Sequence, residues 1–214
     1  MDGTLLDSRQ VALEGSRRGL AQLYAALGLE PEPLEDADIV ALIGSPSLDY
    51  FRSLLPPSLA HHAEEVRGLV GAHERELLQQ GWGHLFPGAA ETLAWLRSRG
   101  VLLGVVTNCY TRYCRAAVQA VGLEDHVHVV FCLGDAPPGS SKTDLVAMAL
   151  RELRAPAAIV GDRVYDFHAG RSHGLLTVAC SWGYGPPHEL EEADLLAADF
   201  AQVRHLLQPY LEPS

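Results

Sequence analysis

Positive charge is scarce in this sequence. Lysine and arginine together number 16, against 27 aspartates and glutamates, which gives a formal net charge of −11 and a pI near 5.3. Nucleic acids and anionic membrane surfaces are bound by clusters of lysine and arginine. The composition therefore argues against both kinds of partner, and any phosphate group that this protein handles must be held by a local site.

Long apolar runs are also missing. No stretch approaches the ~20 consecutive apolar residues that span a bilayer. The N-terminus lacks the basic segment and the following apolar run that mark a secretory signal. These absences predict a cytoplasmic protein that has no membrane partner.

Cysteine is infrequent as well. The four cysteines are Cys109, Cys114, Cys132 and Cys180. They have neither C-x-x-C spacing nor the density of a secreted disulfide scaffold, which predicts reduced thiols. Cys109 follows a candidate site, but no partner histidine can be identified by position, so a cysteine nucleophile is a weak alternative.

The 214 residues, of which 48% are apolar, show two different patterns of apolar residues, one after the other along the chain. From residue 9 to about residue 86, apolar residues recur at spacings of three and four, which predicts an all-helical unit. Further on, helical segments such as KTDLVAMALREL and FAQVRHLL alternate with short apolar strands such as VLLGVVT and AAIVGD. This alternation predicts an α/β fold with a parallel sheet, residues 1–8 and 87–214, and a helical unit inserted at 9–86.

Polar residues follow the apolar runs of the predicted α/β part. They occur at four places: Asp2-Gly3-Thr4, Thr107-Asn108 after VLLGVV, Lys142 at a helix start, and Gly161-Asp162-Arg163-Val164-Tyr165-Asp166 after AAIV. The carboxyl ends of parallel strands meet at one edge of a sheet, where functional groups collect. We therefore expect these side chains to share one cleft.

In that order, these residues resemble the motifs of the haloacid dehalogenase superfamily, and the resemblance covers essentially the whole chain. MDGTLLDS resembles the end of the first motif, VVTN the second, Lys142 the third and GDRVYD the fourth. LFPGAAETLAWLRSRGVLLGVVTN and DFHAGRSHGLLTVACSWGYG resemble the phosphoglycolate phosphatase branch. The resemblance implies a Rossmann-like parallel-sheet core and makes the helical insertion a cap that carries the specificity groups.

Asp162 and Asp166 are candidate metal ligands. Carboxylate oxygens are the hard ligands that Mg²⁺ prefers, and a spacing of four lets both face one cation from the first turn of a helix. The resemblance implies Mg²⁺ as the cofactor and adds Asp2 as a third ligand. Taken alone, Asp162 could instead cap the helix that follows it.

The resemblance assigns phosphate binding to Gly3, Thr107, Asn108 and Lys142. Thr107 offers a hydroxyl beside loop N–H groups that suit a phosphate oxygen, although a Thr-Asn pair after a strand can also be an ordinary turn. Lys142 is the one lysine among fifteen arginines, and its compact ammonium stands where the family neutralises phosphate. The predicted catalytic residues are Asp2, Thr107 and Lys142.

Asp2 separates the reaction classes of the family. Its phosphatases and mutases use this Asp to protonate the leaving oxygen and then to activate water, whereas its dehalogenases have a different residue there. The family's nucleophile is an Asp two positions earlier, on a strand in the middle of the sheet, and that position falls before Met1. Because the other site residues are present, we expect a truncated form of an active parent rather than a degenerate member.

The resemblance thus implies that the full-length parent is a Mg²⁺-dependent phosphatase that hydrolyses a small-molecule phosphate monoester, such as phosphoglycolate, through an aspartyl-phosphate. Two alternatives stay open: a catalytically inactive phosphate-binding protein, and a sugar-phosphate mutase. In the cap, the loop Gly44-Ser45-Pro46-Ser47, with Arg52 nearby, could reach the cleft or could be an ordinary turn. Nothing in the sequence sets the oligomeric state.

Overall fold

The computed structural model describes residues 1–154 and 158–211. Its α-helices are α1 (Arg9–Leu27), α2 (Asp36–Leu42), α3 (Ser47–Ser53), α4 (Ala63–Gln79), α5 (Ala89–Arg97), α6 (Thr111–Ala120), α7 (Lys142–Leu153), α8 (Val164–Ser172), α9 (Pro187–Leu190) and α10 (Phe200–Leu207). Its strands are β1 (Leu6–Asp7), β2 (His84–Leu85), β3 (Gly104–Thr107), β4 (Val129–Cys132), β5 (Ala158–Gly161), β6 (Leu176–Cys180) and β7 (Leu195–Ala197). Short 3₁₀ turns span Pro57–His62, Leu123–Asp125, Leu133–Asp135 and Gln208–Tyr210.

Several elements coincide with the sequence patterns, and others do not. Helices α7 and α10 have the bounds of KTDLVAMALREL and FAQVRHLL. The predicted strand VLLGVVT begins late, at Gly104, because the Leu103 N–H donates to the His128 ring and not to a neighbouring strand. Ala157, the first residue of the predicted strand AAIVGD, lies outside the described residues, and β5 begins at Ala158.

The strands of the α/β part pair in parallel. Strand β3 pairs with β4, and β5 pairs with β6, which in turn pairs with β7. Together with the helices between them, these pairs confirm the predicted α/β class with a parallel sheet. Within the described residues, no helix is both long enough and apolar enough to cross a bilayer.

An apolar cavity of about 560 Å³ lies between the two parallel sheets. Val105 of β3 and Val160 of β5 line it from the two sheets, and Met1 lines it as well. The resemblance places a strand in the middle of the sheet, but the first strand of the described chain, β1, pairs with β2 instead. A strand between β3 and β5 therefore stays a prediction.

The helical unit, α1 to α4, is joined to the α/β part by two short strands that pair with each other. Strands β1 and β2 are antiparallel, with Leu6 opposite Leu85 and Asp7 opposite His84. The chain therefore leaves the α/β part and returns to it at neighbouring points.

The helical unit has an apolar core of its own. Leu23, Ile39 and Val66 are fully buried there, and Tyr184 of the α/β part packs against the same cluster. Helices α1 and α4 approach closely at Gly19, where an added Cβ would lie 2.6 Å from the Val70 backbone nitrogen. Only a residue without a side chain permits this approach.

Gly19→Ala is expected to destabilise the protein, because the new methyl group would meet the backbone of α4. Overpacking of this kind costs ~1–3 kcal/mol, which exceeds the ~0.5–1 kcal/mol that alanine gains over glycine inside a helix. Gly68→Ala is the matched control, since Gly68 lies in α4 and an added Cβ there would have no atom within 4 Å. Urea unfolding should give a lower midpoint for G19A and an unchanged or higher one for G68A; equal shifts would contradict the close approach.

Candidate active site

One small cavity of about 70 Å³ brings together most of the site residues predicted from the sequence. Those lining it are Asp2, Thr107, Asn108, Lys142, Asp162 and Asp166. They meet there because β3 and β5 end, and α7 and α8 begin, at the same edge of the α/β part. The helical unit closes the cavity from the opposite side with side chains from α3, α4 and the loop before α3.

Asp162 directly follows β5 and is held by two donors. Its Oδ1 accepts a hydrogen bond from the Thr4 hydroxyl at 2.8 Å, and its Oδ2 accepts one from the Tyr184 N–H at 3.0 Å. Burial, and then the charge of Asp166, raise the pKa of Asp162 above its usual value. The alternative role as a helix cap is not observed, because Arg163 stands at the N-terminus of α8.

Gly3 lies against the Asp162 carboxylate. Its φ of +74° is in the left-handed region, and a Cβ on it would lie 2.1 Å from Asp162 Oδ2. The Gly3 N–H donates to the Leu6 carbonyl at 3.0 Å. A glycine is thus required here to let the carboxylate approach, and phosphate binding by Gly3 stays a prediction.

Lys142 and Asp166 form a buried ion pair. The Lys142 Nζ lies 2.7 Å from Asp166 Oδ1, and the two side chains are 8% and 7% exposed. The position of the lysine is set by a capping box at the start of α7, in which Ser141 and Asp144 bond to each other's backbone N–H groups. The local sequence therefore fixes where the ammonium enters the cavity.

Asp2 is oriented by a tyrosine of α6. The Tyr113 hydroxyl donates to Asp2 Oδ1 at 2.5 Å. Burial, followed by the charge of Asp2, raises the pKa of Tyr113 well above its usual value, so the phenol keeps its proton. The phenol therefore holds one oxygen of the carboxylate and leaves the other available to the cavity.

The predicted Mg²⁺ ligands have suitable chemistry but do not form a ready-made site. Asp2, Asp162 and Asp166 line the same cavity, and the mutual charge of Asp162 and Asp166 is unfavourable until a cation offsets it. Within residues 1–154 and 158–211, no three or more His, Cys, Asp or Glu side chains are arranged to hold a metal ion. The donor set fits Mg²⁺, and its binding stays a prediction.

The residues after β3 serve the contact with the cap as well as the cavity. The Asn108 Nδ2 donates to the Gly44 carbonyl at 2.9 Å, and the Thr107 hydroxyl lies 3.4 Å from the Cys109 sulfur. Gly44, Ser45 and Ser47 of the cap loop line the cavity. The loop therefore reaches the cleft, whereas Arg52 is exposed and pairs with Asp49 at 2.9 Å.

Arg163 is a residue whose role the sequence analysis did not assign. Its guanidinium forms two hydrogen bonds to Glu189, at 2.8 and 3.1 Å, and also donates to the carbonyls of Ala41 and Ile43 in the cap. It lines the cavity and is 6% exposed. The arginine of GDRVYD thus links the end of β5 to the C-terminal end of α2, just before Gly44.

Glu74 is a second residue that the sequence analysis missed. It lies in α4 in step with Val66 and Val70, is 6% exposed and lines the cavity. Burial, and then the charge of Asp2, raise the pKa of Glu74 to about 8. A glutamate within the apolar stripe of a helix is the signal that could have identified it.

The four cysteines are free thiols in the described part of the chain, as predicted. Three of them are buried, and Cys109 beside Thr107 is partly exposed. Burial raises the pKa of Cys180 well above its usual value, which keeps that thiol protonated and unreactive.

Comparison with known proteins identifies relatives that match most of the chain. The family described as haloacid dehalogenase-like hydrolase matches residues 1–174. The Mycobacterium tuberculosis protein named tyrosine-protein kinase PtkA is 32% identical over 193 residues, which cover 86% of this chain and 61% of that protein. A phosphoglycolate phosphatase of Synechococcus elongatus is 37% identical over 196 residues, which cover 90% of this chain and 86% of the relative.

Solved structures agree with the fold. The crystal structure of a predicted phosphoglycolate phosphatase from Haemophilus somnus superposes with a TM-score of 0.81 at 21% identity, covering 97% of this chain and 95% of that one. At this identity the match establishes the fold alone, and it confirms the predicted core with a helical cap.

Glu74→Gln is expected to stabilise the protein at pH 8.5 and to have little effect at pH 5. The pKa of Glu74 is about 8 in the fold against a usual value of 4.5. Between these values the unfolded chain releases a proton that the folded chain keeps, so the free energy of unfolding falls as pH rises. Each tenfold difference in proton affinity between the folded and unfolded chains lowers the free energy of unfolding at high pH by ~1.4 kcal/mol. The neutral amide of Gln does not titrate and so avoids this loss of stability.

Thermal unfolding of E74Q and of the unchanged chain at both pH values measures this effect. Glu76→Gln is the control, because Glu76 is an exposed glutamate on the same helix. An E74Q effect of equal size at pH 5 and pH 8.5 would contradict a buried carboxyl group with a raised pKa.

Proposed function

Because the chain belongs to the haloacid dehalogenase-like hydrolase family, we propose that it is a Mg²⁺-dependent phosphatase acting on a small-molecule phosphate monoester. The observation that carries this proposal is the single cavity lined by Lys142, Thr107 and the carboxylates of Asp2, Asp162 and Asp166. An ammonium and a hydroxyl can hold a phosphate dianion, and carboxylates can hold a divalent cation against it.

The relatives favour a phosphatase over a kinase. The phosphatase-named relative from Synechococcus is matched over 86% of its length. The kinase-named relative from Mycobacterium is matched over 61% of its length, so less of that protein is represented in this chain. Hydrolysis of a phosphate ester is therefore the activity with the broader support.

The roles of the residues follow from their contacts. Lys142 can stabilise the charge of the transferring phosphoryl group, and Thr107 can donate to one of its oxygens. Asp2 can protonate the leaving oxygen and then accept a proton from water, with Tyr113 fixing the orientation of its carboxyl group. Mg²⁺ held by Asp162 and Asp166 would neutralise further phosphate charge, while the carboxyl group of Asp2 carries the proton.

The covalent step requires a nucleophile on the same side of the strand as Asp2. Residues i and i+2 of an extended chain project to one side roughly 6–7 Å apart, so a carboxylate two positions before Asp2 would share its cleft. Its oxygen would bond to phosphorus while the bond to the leaving oxygen breaks and Asp2 supplies the proton; water would then release phosphate. The apolar cavity between β3 and β5, which Met1 lines, has the lining that a strand leading to such a residue needs.

The cap is fastened over the site by polar contacts rather than by the chain connection alone. Asn108 bonds to Gly44, and Arg163 bonds to the carbonyls of Ala41 and Ile43. These contacts hold the cap loop against the cavity and limit its access to bulk water. Exclusion of bulk water favours transfer of the phosphoryl group to the enzyme over its transfer to water. It also strengthens the electrostatic interactions inside the cavity.

Hydrolysis of p-nitrophenyl phosphate with Mg²⁺ tests the proposed function. The chain is assayed as sequenced and with an N-terminal extension, an apolar strand that ends in Asp two positions before Asp2. We expect the extension to give phosphate release, and Asn in place of the added Asp to remove it. A folded, extended chain that binds phosphate without hydrolysis would favour the non-catalytic alternative. In a parallel assay with a sugar phosphate, isomerised product with little free phosphate would favour a mutase.

In the chain extended with the strand that ends in Asp, Asp2→Asn is expected to lower kcat by ~10²–10⁴, because an amide cannot protonate the leaving oxygen. The loss should be larger for an alkyl phosphate than for p-nitrophenyl phosphate, whose leaving group needs less protonation. Asp49→Asn is the control, since Asp49 is an exposed carboxylate on the cap. Equal losses for the two esters would exclude Asp2 as the general acid.

A further inference from the structure

The cap side of the cavity contains a buried carboxyl group that forms no hydrogen bond or ion pair within the described residues, although the charge of Arg75 acts on it. Glu74 is 6% exposed and lines the cavity, as does Asp2. Among the hydrogen bonds and ion pairs within residues 1–154 and 158–211, none involves the Glu74 carboxyl group. A buried carboxyl group is costly unless it is paired, so this one is suited to a ligand that supplies the partner.

Two hydroxyl groups in the same cavity also lack partners. The Oγ atoms of Ser8 and Ser47 are buried and form no hydrogen bond within the described part of the chain. Both residues line the cavity together with Glu74. Buried polar atoms are nearly always hydrogen-bonded, and a hydroxyl oxygen can accept a hydrogen bond from a donor on a ligand.

Aromatic rings form much of the remaining wall. Tyr50, Phe51, Tyr110 and Tyr113 all line the cavity. Tyr50 and Phe51 pack edge to face with centroids 5.0 Å apart, and Phe51 and Tyr110 do so at 6.1 Å. Burial raises the pKa of the three tyrosines, so their rings stay neutral. Neutral aromatic faces attract cations through their quadrupoles.

The basic side chains that line the cavity are already paired. Lys142 lies 2.7 Å from Asp166, and Arg163 is bonded to Glu189 at 2.8 Å. A carboxylate on the leaving group would therefore meet Glu74 and the aromatic rings on the cap side without an unpaired cation among the described lining residues. A cation on the leaving group would instead lie beside the Glu74 carboxyl group and the negative faces of the aromatic rings.

We propose that the cap side of the cavity binds a protonated amine, so that the substrate is the phosphate monoester of a small amino alcohol. Glu74 is the counter-ion of the amine, and the aromatic rings surround it. The volume of about 70 Å³ restricts the leaving group to a small one, since pockets for larger ligands measure ~300–1,000 Å³. This inference rests on the proposed phosphatase function, because it takes the phosphate end of the ligand to lie at Lys142.

The inference separates this chain from the relative named phosphoglycolate phosphatase. The leaving group of phosphoglycolate carries a carboxylate, whereas 2-aminoethyl phosphate carries an ammonium group of similar size. Above about pH 8, where its carboxyl group is ionised, Glu74 attracts the ammonium and repels the carboxylate. Ethyl phosphate, which has neither charge, gives the reference affinity.

Isothermal titration calorimetry at about pH 9, where Glu74 is ionised, and with EDTA present measures binding without metal-dependent turnover. The ligands are inorganic phosphate, ethyl phosphate, 2-aminoethyl phosphate and 2-phosphoglycolate. The chain is expected to bind 2-aminoethyl phosphate at least tenfold more tightly than ethyl phosphate, and 2-phosphoglycolate more weakly than either. This comparison of ligands tests the inference without any variant.

Glu74→Gln should remove the preference for 2-aminoethyl phosphate over ethyl phosphate. Glu76→Gln, an exposed change on the same helix, should keep the preference. Equal affinities of the unchanged chain for ethyl and 2-aminoethyl phosphate, with inorganic phosphate still bound, would overturn this inference and leave the proposed function standing. A folded chain that binds none of the four ligands would overturn both.

Discussion

The buried ion pair of Lys142 and Asp166 is the interaction on which the site depends. Asp2, Asp162 and Asp166 bring their carboxyl groups to one cavity, and charges buried this closely are tolerated only when opposite charge offsets them. The single lysine of the chain supplies part of that offset at 2.7 Å. The rest is provided by neutral donors, the Thr4 hydroxyl and the Tyr184 N–H on Asp162 and the Tyr113 hydroxyl on Asp2. A residual negative charge remains for a cation to balance.

Features that depend on neighbouring residues could be predicted from the sequence. The start of α7 is encoded by Ser141 and Asp144, which are close in sequence to Lys142, and its bounds agree with the periodic segment. The meeting of residues after β3 and β5 in one cavity follows from parallel pairing, because all strand ends then lie at one edge. For the same reason, motifs far apart in the sequence were expected to share a cleft.

Features that depend on tertiary contacts could not be predicted. Strand β7 has three residues and is defined by its pairing with β6, which no periodic pattern records. Arg163 bonds to cap carbonyls more than a hundred positions away in sequence, at Ala41 and Ile43. The unpaired state of Glu74 depends on the packing of α4 over the cavity, although its place in an apolar stripe was visible. The polar contacts between cap and core are thus decided by the fold.

The antiparallel pairing of β1 with β2 brings the two connections of the cap to one point on the core. A unit whose ends lie side by side can be inserted into a host, or exchanged for another, without rerouting the rest of the chain. Here Lys142 belongs to the host and Glu74 belongs to the insert, although both line the same cavity. Recombination of the insert as a module would therefore let evolution change the molecule that is accepted while conserving the chemistry performed on it.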